Sequence, residues 1–132
     1  MGSVGLGAFV GFIVTVAIGM VYPVLGHILG ALIGGLVAGL IARGAMAGAF
    51  AGILAGILSA IVLVIFGFLG FVTYGAANFG FLGAFIGGIV GTALSIIVAV
   101  VATVASAIGG FIGGFITKPA PVAVYVHQQS NI

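Results

Sequence analysis

The chain contains no aspartate and no glutamate anywhere in its 132 residues, and its only permanent side-chain cations are Arg43 and Lys118. A soluble domain keeps about a quarter of its residues charged so that its surface stays hydrated. Here the fraction is 2%, against 64% apolar residues, so most of the exterior must face lipid or other protein. The expected fold class is therefore all-α and of membrane type.

The missing carboxylates have a second consequence. Acid unfolding acts largely by protonating carboxylates that are paired in the native state. Only His27, His127 and the C-terminal carboxyl titrate in the acidic range, which predicts a fold nearly indifferent to low pH. There is no cysteine, so disulfides, thiolate nucleophiles and thiolate metal sites are excluded. The opening residues MGSVGLG lack the basic region of a cleavable signal peptide, and none is expected.

Breakers divide a hydrophobic domain, 1–116, into four apolar stretches at about 4–22, 24–42, 45–72 and 81–116. They end at Tyr22-Pro23, at Arg43-Gly44, at the more polar link TYGAANFG (73–80) and at TKPAP, where two prolines forbid helix. The first two helices would be roughly 28 Å long, matching a hydrocarbon core of about 30 Å. The third would be roughly 42 Å and the fourth roughly 54 Å. Tilting by up to about 40° hides the third but not the fourth. The fourth must break, around Gly109-Gly110, or be covered by neighbouring protein; protein cover is favoured. Pro23 permits either a hairpin or one kinked helix, and the cluster Tyr22, Pro23, Gly26, His27 favours the hairpin. If all four stretches cross, the amino terminus, Arg43 and Lys118 share one face, the positive-inside arrangement. An extended tail, 117–132, follows, whose VAVYVHQ alternation permits a short strand.

A small residue recurs at every fourth position. The series are Gly7, Gly11, Thr15, Gly19; then Gly26, Gly30, Gly34, Ala38, Ala42; then Gly44, Gly48, Gly52, Gly56, Ala60; and last Gly83, Gly87, Gly91, Ser95, Ala99, Thr103, Ala107. Residues four apart share a helical face, so each stretch presents a groove that lets another backbone approach closely. The candidate helix-packing residues are Gly30, Gly34, Gly44, Gly48, Gly52, Gly56, Gly83, Gly87 and Gly91.

Catalytic chemistry is not visible. Ser59, Ser95 and Ser106 have no base or orienting acid, and their expected role is hydrogen bonding to the preceding turn or an adjacent helix. The glycines match no phosphate loop. Two histidines a hundred residues apart make no metal motif. No enzyme activity, cofactor or metal is expected. A proton-driven rotor would need an ionisable group inside the membrane, and only His27 comes near that. In a repeated assembly, Arg43 and Lys118 would present a mildly positive face to phosphates, without reading bases.

Two resemblances follow from the residues. The runs GGLVAGLIARGAMAGAFAGILAG (34–56) and IGGFIGGFI (108–116) resemble an uncharacterised family of small archaeal polytopic membrane proteins, which implies helical membrane topology. The paired stretches around TYGAANFG, the chain length and the absence of acidic residues resemble the major capsid proteins of archaeal spindle-shaped viruses. That resemblance implies a self-assembling coat protein that enters the host cell membrane and then the virion. Its partners would be its own copies, membrane lipid and, nonspecifically, genomic DNA. The competing expectation is a cellular membrane protein, for example an oligomeric pore or holin-like protein.

Overall fold

Ser3 opens the first helix: its side chain accepts a hydrogen bond from the Leu6 N–H at 3.2 Å, relieving one of the free donors of the first turn. The computed structural model describes residues 3–22 and 25–117. Within them run three helices, α1 (Val4–Val21), α2 (Leu25–Ala42) and α3 (Ala45–Ile116), with no strand among the described residues. All three are long and apolar enough to cross a membrane.

Close approaches define how the helices run. Gly7 faces the Ala38 carbonyl, Gly11 faces Gly34, and Gly30 faces Thr15. Positions rise along α1 as they fall along α2, so the two form an antiparallel hairpin rather than one bent helix. Pro23 itself lies outside the described residues. Arg43 and Gly44 then reverse the chain into α3, both at positive φ (55° and 112°).

The link expected at 73–80 is a correction. The chain stays helical through Phe79 and departs from helical geometry at Gly80 alone, where φ is 67° and ψ is −150°. Polarity did not break the helix because the helix absorbs it: Thr73 Oγ1 donates to the Leu69 carbonyl at 2.7 Å, and Asn78 Nδ2 donates to the Tyr74 carbonyl at 2.9 Å. Without proline the segment has nothing to stop the ladder until a glycine takes a conformation that other residues rarely adopt. The alternative break at Gly109-Gly110 is also absent, since helix continues to Ile116.

Gly80 folds α3 back on itself. Gly75 meets Gly83, Phe71 meets Gly87, Gly67 meets Ser95, Gly52 meets Ser106 and Gly48 meets Gly110, so the arms 45–79 and 81–116 lie antiparallel along their length. Each arm is about 50 Å long, whereas α1 and α2 are about 27 Å. The third stretch is thus longer than the sequence implied, because it absorbs the link.

The α1–α2 hairpin packs beside the half of α3 nearest Arg43. Leu32 and Leu36 lie against Gly109 and Gly113, and Gly35 and Gly39 against Ser106 and Gly110, which makes α2 parallel to the second arm. A small apolar cluster of Ala38, Ala42, Ala51 and Ala55, flanked by Val4 and Ala47, closes this end. Burial then falls away: between Ala60 and Leu82 only Gly75 is buried. The far half of the α3 hairpin projects beyond α1 and α2.

Candidate helix-packing site

The core of this protein is built from small residues. Among the described residues the buried apolar side chains are all alanines, and the largest fully buried side chains are Thr15, Ser59 and Ser106. Bulky groups such as Phe9, Phe50, Phe66, Phe81 and Phe85 all point outward.

Each glycine proposed from the sequence has a definite place. Gly30 and Gly34 lie against α1, where a Cβ would meet Thr15 and Gly11. Between the arms of α3, a Cβ on Gly48 would strike the Gly110 carbonyl, one on Gly52 the Ser106 carbonyl, and one on Gly56 the Thr103 Cα at 2.9 Å. Gly83 abuts Gly75, Gly87 abuts the Phe71 carbonyl, and Gly91 abuts the Phe71 side chain. Gly44 donates its N–H to the Gly114 carbonyl at 3.0 Å, tying the start of α3 to its end. Arg43 is exposed at the same end; Lys118 and His127 lie outside the described residues.

Hydroxyls mark the same seams. Thr15 Oγ1 donates to Gly11 O at 2.8 Å and lies 3.2 Å from Gly30 O on the facing helix. Ser106 Oγ donates to Gly52 O across the arms at 2.7 Å, while Ser59 Oγ donates back to Ala55 O. These bonds leave fully buried oxygens satisfied in a setting where no water competes.

Two features escaped the sequence reading. The first is a second face on α2: Gly35 and Gly39 pack on the second arm of α3, with Gly109, Gly110, Gly113 and Gly114 opposite. The doublets Gly34-Gly35, Gly109-Gly110 and Gly113-Gly114 were the available signal, since adjacent glycines serve two neighbours about 100° apart around a helix. The second is a shift in the last series. Burial follows Ser95 and Ala99 but then Ala102, Ser106 and Gly110, while Thr103 and Ala107 are only half-buried. A strict four-residue step drifts around a helix of 3.6 residues per turn, and one three-residue step restores the face.

Among the described residues no group of three or more His, Cys, Asp or Glu side chains could hold a metal ion. The remaining buried polar side chains among the described residues are Ser95 and His27, each 6% exposed, with His27 in the first turn of α2.

Residues 2–116 match the sequence pattern of a family of unknown function, DUF5518. The chain belongs to this family. No curated protein and no solved structure matches it. The DUF5518 match ends at Ile116, where α3 ends, so it covers all three helices and stops before the tail.

Proposed function

We propose that this DUF5518 protein is a structural membrane protein that assembles with copies of itself through the projecting half of the α3 hairpin. One observation carries the reading: arms of about 50 Å exceed a hydrocarbon core of about 30 Å, and even a tilt of about 40° leaves a remainder. That remainder carries exposed Phe79, Phe81 and Phe85, which water does not favour and which lie beyond α1 and α2. A neighbouring copy has the same surplus and the same chemistry. The outer face there forms a shallow apolar groove of about 700 Å³ lined by Phe68, Val72, Phe81, Phe85 and Ile89, a surface able to receive another helix.

A pore fits less well, because the buried hydroxyls of Thr15, Ser59 and Ser106 are held by backbone carbonyls and the exposed Thr73 and Asn78 bond back to their own turn. The resemblance to spindle-shaped virus coats would make the assembly a virion shell, with Arg43 facing the genome.

Cysteine crosslinking tests the proposal directly, since the chain has no native cysteine. Phe81→Cys should form disulfide-linked dimers in membranes, and Phe9→Cys on α1 should not. A Phe81→Cys protein that stays monomeric at high density in vesicles would remove the proposal. Electron imaging of the oligomer then separates closed particles, the coat reading, from patches within a bilayer.

A further inference from the structure

Charge distinguishes the two ends of the molecule. At one end the start of α1, the end of α2 and both ends of α3 come together. Gly7 faces Ala38, the Gly44 N–H donates to the Gly114 carbonyl at 3.0 Å, and Thr117 Oγ1 lies 3.5 Å from the Gly39 carbonyl. The other end holds the α1–α2 turn and, farther out, the reversal at Gly80. A helix carries partial positive charge at its start and partial negative charge at its end. Two starts and two ends lie side by side here, so these partial charges cancel.

Arg43 stands at the crowded end, exposed in the turn between α2 and α3. From residue 44 to 117 the sequence has no Lys, Arg, His, Asp or Glu, and from 3 to 42 it has only His27, buried near the opposite end. The polar groups of the Gly80 tip add little, because Thr73 and Asn78 bond to their own turn. Lys118, the other side-chain cation, directly follows Thr117 in the sequence.

Nothing in the local structure asks for arginine. Arg43 is the one non-glycine at positive φ among the described residues, in a conformation where glycine is usual. Its side chain is exposed, and the chain has no side-chain carboxylate to pair with it. What remains is the charge itself. A cation resists transfer across hydrocarbon and is drawn to the anionic cytoplasmic leaflet, so basic residues stay on that side. We infer that Arg43 sets the orientation of the protein in the membrane, keeping the α2–α3 turn cytoplasmic and sending the Gly80 tip to the far side. Orientation presupposes the membrane setting proposed above but not self-assembly, which the Phe81→Cys crosslink reads separately.

Thiol labelling of the full chain expressed in bacterial cells tests it, since there is no native cysteine. Ala77→Cys reports the tip and Met46→Cys the first turn of α3, both at exposed positions. With Arg43 present, a membrane-impermeant maleimide should label Ala77→Cys in intact spheroplasts, and Met46→Cys only after the membrane is opened. Arg43→Gly suits the backbone of the turn and should raise the outside-labelled fraction of Met46→Cys at least about fivefold, the bias of one cation at an anionic surface. Arg43→Lys keeps the charge and should keep the parent pattern. Arg43→Gly combined with Ala76→Lys should invert it. Circular dichroism of each purified variant confirms its helix content. Unchanged labelling in a helical Arg43→Gly protein, or mixed orientation in Arg43→Lys, overturns the inference. Full labelling of both sites in intact spheroplasts would mean no insertion, and the membrane setting would fall with it.

Discussion

Arg43 ends α2 with its N–H on the Gly39 carbonyl at 3.1 Å and its own φ at 55°, the left-handed turn that glycine ordinarily supplies. A side chain there costs about 1–2 kcal/mol relative to glycine. Arg43→Gly should therefore keep or raise resistance to unfolding in a detergent titration, and Arg43→Val should lower it. The arginine is retained in a conformation that does not suit it, which fits a demand for positive charge at this end. Ser106 makes the opposite case, a side chain matched to its place. Ser106→Ala removes the bond to Gly52 O and should cost about 0.6 kcal/mol, the usual worth of an interhelical hydrogen bond in a membrane protein, in the same titration.

The helices hold one another by proximity of backbones rather than by interlocking side chains, and glycines in different surroundings should therefore respond differently. A Cβ at Gly52 would run into the Ser106 carbonyl, whereas Gly70, in the same arm, has nothing within 4 Å. Gly52→Leu should separate the arms and destabilise the fold by about 1–3 kcal/mol, as overpacking does. Gly70→Leu should stay within about 0.5 kcal/mol of the parent. Unfolding measured side by side decides it; equal losses would mean that glycine content matters and position does not. These elements were largely legible beforehand. Apolar runs bounded by Pro23, Arg43-Gly44 and TKPAP located α1, α2 and the end of α3. The fate of 73–79 was not legible, because polar composition looks like a loop until the side chains are seen bonding to their own turn. Nor was the α2–α3 face, since a four-residue count follows one neighbour at a time, and α2 has two.

Taken whole, the molecule carries almost no charge within its described residues, and that sets how it responds to its surroundings. Arg43 is exposed and His27 is the one buried side chain that acid would charge inside the fold. Helix content should hold from neutral pH to about pH 3, there being no side-chain carboxylate to protonate. Any loss that does occur should vanish in His27→Phe, as read by circular dichroism across the titration. Salt should matter equally little, for want of ion pairs to screen. The near absence of charge is legible in the sequence, whereas the burial of His27 is not. Nor is the mismatch between the short α1–α2 hairpin and the long arms of α3, which emerges only because the chain continues through Phe79 before turning.

The single reversal at Gly80 also fixes what lengths evolution can tolerate. The close approaches between the arms pair a position before the turn with one about as far after it, as Gly75 with Gly83 and Gly52 with Ser106. Inserting one residue near Gly83 would rotate everything downstream by about 100°, presenting Val90, Leu94 and Val98 where Gly91, Ser95 and Ala99 now sit. Adding four would nearly restore the facing but slide the partners by about 6 Å. Indels in this protein should therefore be confined to the tip or arrive as compensating pairs, one in each arm.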